Sequence, residues 1–447
     1  MPAATLCSRA LSPAAAVLAT TALVGAALTA PGASAVRARA VEGSNSTGTA
    51  AGSAPNGSAY MSLSLQTTAD GRILVSWRRP APPSRLVRFV VKVGTNRSLA
   101  GKVHSYDVNR TQQSIVVPQA FGATRASGNF SFVKLYVKRA NGTTGASPAK
   151  WIQAPLAAPC PATQDRVNIG TFNVRTWGGK QPPKRFSWKV RGNRVIHEIR
   201  RSGARAIAIQ EASGRANSGF GRLRQNRWII ARLNAEDKNA HWTDARADDV
   251  YRGKGLVGTR VLYDANAFRR LDGGLTTIRI PGTANAYAPW VRLQATDGSS
   301  SPFVLISTHL AAGNSGRASS IRVRQIGAVI TLAKSLQSKF GGQVILGGDM
   351  NSTAYAKPYN TVDLALLRAG FYDAFATHRL GNSKFATTND FDFPVGVTPF
   401  RRDYIMSLGP TQGSCRYVNL AYTRSSQAAS DHFMQVATLP LSGGEPR

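Results

Sequence analysis

Six short segments in the last two-thirds of this 447-residue chain carry the side chains best suited to chemistry. In order they are Gly170-Thr171-Phe172-Asn173-Val174-Arg175, Ile209-Gln210-Glu211, Ser307-Thr308-His309-Leu310, Gly347-Gly348-Asp349-Met350-Asn351, Asp403-Tyr404-Ile405 and Ser430-Asp431-His432. Together they offer the carboxylates of Glu211, Asp349, Asp403 and Asp431, the amides of Asn173 and Asn351, and the imidazoles of His309 and His432. Hard oxygen donors suit Mg²⁺-type cations, and imidazoles beside them suit proton transfer and charge stabilisation. The chemistry this set equips is metal-assisted attack on a phosphate ester.

Such side chains must be aimed at one point, and strand ends on a sheet scaffold do that well. Most of the six segments follow an apolar, β-forming run. Strands are expected over residues 167–173, 206–210, 303–308 and 343–346. A helix is expected over 191–201, with Val195, Ile196 and Ile199 inward and a Ser202-Gly203 stop. A second is expected over 319–340, with Val323, Ile326, Val329, Ile330, Ala333, Leu336 and Phe340 on one face. Gly341-Gly342 ends it, because glycine tolerates the left-handed cap. Asp349 and Asn351 stand two apart, which points both the same way on an extended segment; Gly-Gly-Asp-x-Asn is also good turn chemistry.

Taken together and in this order, the six segments resemble the endonuclease/exonuclease/phosphatase superfamily, the deoxyribonuclease-I-like fold. The resemblance spans residues 165–440. It implies a four-layer α/β sandwich with two packed central sheets. It further implies Mg²⁺, with Mn²⁺ as a substitute, held chiefly by Glu211. Asn173 would contribute an amide oxygen, and Asp431 would orient the cluster or join it as a ligand. Asp349 and Asn351 would position and deprotonate the attacking water and touch the phosphate. Asp403 would orient His432 and favour its charged form, while His309 would serve the leaving oxygen. Tyr263, in Val261-Leu262-Tyr263-Asp264, is expected to line the site or to sit in the core. The stretch Thr283-Ala284-Asn285-Ala286-Tyr287-Ala288-Pro289-Trp290 lacks the arginine that several nucleases of the family carry there. Arg292 is the substitute expected to contact substrate. His104, His197, His241 and His378 lack comparable context and are expected to be structural or superficial.

The rest of the chain reads differently. Residues 1–35 read as a signal peptide, with an apolar stretch at 13–30 and cleavage after Ala35 in Ala33-Ser34-Ala35, so the protein is expected to be secreted. Residues 36–57 are a Gly/Ser/Ala-rich linker. Residues 58–156 alternate in short β-forming runs, with a turn at Asn141-Gly142, and suggest an all-β sandwich. This part resembles a fibronectin type III module. Residues 157–164 form a Pro/Ala linker, 165–441 the catalytic domain and 442–447 a tail. The mature chain keeps Cys160 and Cys415, for which a disulfide is expected and two free thiols are the alternative. No later segment is long and apolar enough to span a bilayer, and a monomer is expected.

Lys and Arg number 56 against 22 Asp and Glu, a net charge of +34. Residues 36–160 hold 16 basic and 3 acidic residues (+13), and residues 161–447 hold 39 and 19 (+20). An excess of this size points to a polyanionic partner. Nucleic acid, DNA above RNA, is the favoured substrate, and the sandwich is a candidate second contact for nucleic acid or cell-wall polyanions. A lipid phosphodiesterase of sphingomyelinase type and an inert polyanion-binding matrix protein are the alternatives. The sequence shows no Ser nucleophile elbow and no zinc-type Cys/His cluster.

Overall fold

The computed structural model describes residues 63–441 except 69–71, 79–85, 95–98, 100–102, 119–129, 143, 148, 154–159, 161–164, 178–183, 214–221, 246–257, 354–360, 378 and 397–399. The expected signal peptide at 1–35, the expected linker at 36–57, the expected tail at 442–447, most of the expected linker at 157–164, and His378 lie outside the described residues.

The first eight strands are β1 (Leu63–Thr67), β2 (Ile73–Trp77), β3 (Leu86–Gly94), β4 (Val103–Asn109), β5 (Ser114–Val117), β6 (Phe130–Arg139), β7 (Thr144–Ala146) and β8 (Lys150–Gln153). They form one sheet in the order β1-β2-β5 and another in the order β4-β3-β6-β7, with β8 also paired to β6. Alternation puts Ile73, Val75 and Trp77 of one sheet against Phe89, Val91, Val133 and Leu135 of the other, all buried. The result is the β-sandwich that the period-2 pattern dictates.

The remaining elements are β9 (Arg166–Asn173), α1 (Trp188–Ser202), β10 (Ala206–Gln210), α2 (Gln225–Glu236), β11 (Trp242–Asp244), β12 (Arg260–Asp264), β13 (Phe268–Ile278), β14 (Ala286–Ala295), β15 (Phe303–His309), α3 (Gly316–Phe340), β16 (Gln343–Asp349), α4 (Thr361–Arg368), β17 (Tyr372–Asp373), β18 (Leu380–Gly381), β19 (Asp403–Leu408), β20 (Arg416–Asn419) and β21 (Gln435–Pro440). One sheet has the order β11-β12-β10-β9-β21-β20-β18 and the other β13-β14-β15-β16-β19-β17. Three apolar cores separate four layers. Val195, Ile196 and Ile199 of α1 and Ile229 and Leu233 of α2 pack on Phe172, Ile207 and Ile209. Ile169, Ala208 and Val261 meet Val291, Leu305, Ile345 and Ile405 between the sheets. Ile326, Val329 and Ala333 of α3 and Leu366 of α4 cover Val304, Ile306 and Leu346. The architecture is the four-layer α/β sandwich expected.

Two details depart from the helical reading. Helix α3 begins at Gly316 rather than Ser319, capped by the Ser315 hydroxyl, which accepts from the Ala318 N–H. Val323 is exposed, and Arg322 is buried in its place. Arg322 Nη1 donates to the carbonyls of Ala311 (2.9 Å) and Gly313 (2.7 Å), and Gln325 Oε1 accepts from the Ala311 N–H at 2.8 Å. The first turns of α3 thus hold the loop after β15 rather than packing on the sheet, which shifts the buried stripe there by one residue. Trp242 opens β11 and is buried in the α1–α2 core.

Candidate active site at one edge of the paired sheets

Strand direction explains why the six segments converge. β9 and β10 run parallel, as do β15 and β16, so Asn173, Gln210, His309 and Asp349 all end their strands at one edge. β19 and β21 run antiparallel to their neighbours, so Asp403 and the residues just before Gln435 lie at the same edge. His309, Asp349 and Asp403 are side by side in register across three strands. The Gly-Gly pair before Asp349 has a packing cause. A Cβ on Gly347 would sit 2.7 Å from the Ala208 Cβ on the facing sheet, so only glycine lets the two sheets approach this closely. Directly beneath the site, Gln210 Nε2 donates to Ser307 Oγ at 3.1 Å, and Ser307 Oγ donates to the Ile209 carbonyl at 3.2 Å, tying sheet to sheet.

Asn173 is the hub. Its Nδ2 donates to Glu211 Oε1 (3.1 Å) and to Asp349 Oδ2 (3.0 Å), and its Oδ1 accepts from the Arg175 N–H (3.0 Å). The structure places Asn173 Nδ2 as a donor between two carboxylates. Glu211 adopts φ +57, and its Oε2 accepts from the Thr176 N–H at 3.0 Å. A Cβ on Gly258 would meet the Glu211 Cα at 2.8 Å, so glycine there makes room for this left-handed turn. Burial would raise the Glu211 pKa, but His309, the Thr176 N–H, Asn173 and Arg175 together lower it below the ordinary value.

Asp349 is fully buried and still held below the ordinary carboxylate range. Desolvation pushes it up; the His432 and His309 imidazoles and the donors of Asn351 and Asn173 outweigh that. Its Oδ2 lies 3.4 Å from His309 Nε2 and 3.6 Å from His432 Nε2. Asn351 has φ +47, so the chain turns here and the extended reading of Asp349 and Asn351 does not hold. The Asn351 N–H donates to Asp349 Oδ1 at 2.8 Å, and its Nδ2 lies 3.0 Å from His309 Nε2 and 2.9 Å from the Leu310 carbonyl. The turn brings the amide to His309 instead of leaving it parallel to Asp349.

Asp403 receives His432 Nδ1 at 2.9 and 3.1 Å. Burial disfavours charge on the ring, but the Asp403 and Asp349 carboxylates raise the His432 pKa well above the ordinary value, so we take the ring as imidazolium. Thr387 fixes the start of β19, since its Oγ1 accepts from the backbone N–H of Arg402 (2.9 Å) and of Asp403 (3.2 Å). Asp349, Asp403 and His432 present ligand atoms within 4.8 Å of one another.

The sequence reading passed over two arginines. Arg175, at φ +52, places Nη1 3.5 Å from Asp431 Oδ2 and 4.0 Å from Glu211 Oε2. It stands in the Asn173 segment itself, which was the available signal. Arg191 is buried beneath the site and donates to the carbonyls of Val174 (2.5 Å), Arg175 (2.6 Å), Ala429 (3.1 Å) and Phe186 (3.0 Å). Burial lowers its pKa to about 10, with Asp431 among the groups opposing that shift, so it stays charged at neutral pH. Its place on the inward face of α1, four residues before Val195, would have revealed it.

Two expected substrate contacts lie elsewhere. Tyr263 pairs with Ala206, at the end of β10 remote from Glu211, and is buried in the inter-sheet core. Arg292 pairs with Val304 near the start of β15, and its guanidinium lies 4.7 Å from the Phe340 ring at the far end of α3. Neither reaches the cluster. Cys160 and Cys415 are joined, with Cα atoms 5.2 Å apart.

Four carboxylates face Arg175 and the His432 imidazolium, so the site carries excess negative charge in a chain of net +34. An oxygen-rich, negative, half-buried cluster fits a divalent cation of the Mg²⁺ or Mn²⁺ type. No protein-family model and no curated protein matches the sequence. Among solved structures the chain is similar to an endonuclease/exonuclease/phosphatase family protein from Bacteroides thetaiotaomicron, with 16% identity, 61% of this chain and 94% of that chain covered, and a TM-score of 0.48. It is also similar to a mannosyl-6-phosphatase from the same organism (17% identity, 62% and 99% covered, TM-score 0.48) and to the human Nocturnin catalytic domain (16% identity, 62% and 95% covered, TM-score 0.44).

Proposed function

We propose that the protein is a divalent-metal-dependent phosphoesterase that hydrolyses phosphodiester bonds, with nucleic acid, DNA above RNA, as its substrate. One observation carries the reading: Asn173 ties Glu211 to Asp349, and Asp349 lies within 3.6 Å of both imidazole Nε2 atoms, so acid ligands and proton carriers share one point. A cation held by Glu211 and Asp431, with Mg²⁺ the favoured ion, supplies charge neutralisation on the phosphoryl oxygens when bound. Asp349, ionised at neutral pH, orients the attacking water and accepts its proton. The His432 imidazolium, held by Asp403, faces the developing negative charge. His309, braced by Asn351 and more exposed than His432, delivers a proton to the leaving oxygen. The reading extends to export, on the Ala33-Ser34-Ala35 pattern, and to a monomer. The net charge favours a polyanionic substrate through counterion release.

The test incubates the purified protein with plasmid DNA, RNA and sphingomyelin, with and without EDTA. Cleavage of DNA that EDTA stops and Mg²⁺ or Mn²⁺ restores is the expected result. Turnover indifferent to chelation overturns the metal role, and sphingomyelin cleavage in place of DNA moves the substrate to lipid head groups.

A further inference from the structure

The β-sandwich is joined to the catalytic sheets by buried polar bonds, and these lead toward Asp403. Trp151 of β8 is buried, and its Nε1 donates to Asp363 Oδ2 in the first turn of α4 at 2.8 Å. Phe132 and Trp151 pack on Leu364 and Leu367 of the same helix. Two residues on, Gln153 Oε1 accepts from the Asp373 N–H at 2.7 Å. Asp373 belongs to β17, the edge strand beside β19. Its carboxylate binds Arg401 through two parallel bonds, one of 3.1 Å between Nη1 and Oδ1 and one between Nη2 and Oδ2. The Arg401 guanidinium lies 4.2 Å from the Phe375 ring and 4.6 Å from the Tyr404 ring. Tyr404 in turn donates its hydroxyl to the Arg401 carbonyl at 3.2 Å. Arg401 is two residues from Asp403, and Tyr404 is the next residue after it.

A two-point fork between Arg401 and Asp373 sets both position and angle, which a single lysine contact would not. Two ring faces close off the guanidinium's other directions. The start of β19 is therefore held from two sides, by Thr387 Oγ1 on the backbone of residues 402 and 403 and by Arg401 through β17. Only the second route reaches into the sandwich.

We propose that Arg401 is a positioning residue for the Asp403–His432 pair, and that the β-sandwich acts through Gln153, Trp151, Asp363 and Asp373 as the support that holds Arg401 in place. The sandwich is on this account part of the catalytic unit, whatever else it binds. The inference rests on the phosphoesterase reading for its effect on rate but not for its effect on β19.

The test uses the full-length protein and the variants Gln153→Ala, Trp151→Phe, Arg401→Ala and Arg401→Lys, with bis(p-nitrophenyl) phosphate and Mg²⁺. Small displacements of catalytic groups cost on the order of a hundredfold in rate. Arg401→Ala should lower kcat by about that factor with little change in KM, and Arg401→Lys should recover part of the loss. Gln153→Ala should lower kcat several-fold alone and add nothing in the Arg401→Ala background, because both act on one linkage. Independent, multiplying losses, or a loss in KM alone, overturn the proposal. Hydrogen exchange provides a readout free of activity. Gln153→Ala and Trp151→Phe should speed amide exchange across residues 401–408 and leave β9 unchanged; unaltered exchange in 401–408 overturns the proposal even in an inactive protein. A wild type that turns over no phosphodiester removes the functional reading and leaves this arm to decide.

Discussion

Two buried acidic clusters flank the same strand, β19, and they behave in opposite ways. At the site edge, Asp349 is fully buried and keeps its charge; beside the sandwich, Asp363 is equally buried and its pKa is pushed up to about 6. Desolvation is the largest influence on both. The balance differs in the donors around them. Both Asp349 oxygens accept hydrogen bonds, and two imidazoles stand within 3.6 Å. Asp363 takes one bond, from Trp151; its Oδ1 has no partner among the described residues, and the Asp373 carboxylate repels it more than Arg401 attracts it. One cluster is built to hold negative charge. The other raises the carboxyl's pKa, so that below about pH 6 a neutral acid seals the contact.

Changes at the site edge should hurt most. Glu211→Ala, Asp349→Ala and His432→Ala should each cut phosphodiester hydrolysis by roughly a thousandfold or more, on the order of 4 kcal/mol of barrier, with circular dichroism unchanged. Near-wild-type turnover by His432→Ala would remove the functional half of the contrast. The interface cluster should respond in stability as well as in rate, and by less than the site edge does in rate. The folded-state pKa of Asp363, about 6, lies above the ordinary aspartate value of 3.8, so the folded protein binds this proton more tightly than the unfolded chain. The stabilisation is complete below about pH 4 and is lost as pH rises through 6, a change of roughly 3 kcal/mol. Asp363→Asn, which cannot ionise, should match the wild type near pH 4 and melt at a higher temperature near pH 8. Melting curves that keep the same gap at both pH values would contradict the assignment. Glu211 and Asp349 have the opposite sign: their pKa values are depressed, so their contribution is present above pH 4 to 5 and disappears as pH falls. The smallest effects should come from Arg292→Ala and Tyr263→Phe. Each should leave kcat/KM within about twofold, because neither side chain approaches the cluster.

The convergence of the site was legible because four of the six segments carry unusual polar residues at the ends of apolar strands, and strand direction brings those four to one edge. The inward face of α1 was legible for the same periodic reason. What stayed hidden depends on local backbone or on long-range partners. Nothing in Asp349-Met350-Asn351 announces that Asn351 turns at φ +47 and serves His309, since the same spacing fits a straight strand. The donor role of Asn173 is set by residues 38 and 176 positions away. Arg322 and Arg191 look like surface charge in a chain with 56 basic residues, and only the carbonyls they meet make them interior. Trp151 and Gln153 gave no sign of reaching α4 and β17, because contacts between separately patterned regions leave no periodicity in either.

The order of strands in the first catalytic sheet bears on how the chain is made. β9 is the first strand of that region to leave the ribosome, yet its neighbours are β10 and β21, and β21 is the last of the described strands. Until residues 435–440 have been synthesised, one side of β9 in the middle of the sheet has no partner. Synthesis at about 5–20 residues per second separates the two strands by tens of seconds. During that interval the nascent protein presents an apolar central edge of the kind that pairs with other chains. A product that ends at residue 434 keeps all six site segments and still lacks the strand that closes the sheet, so premature termination there should yield aggregates rather than a weakened protein.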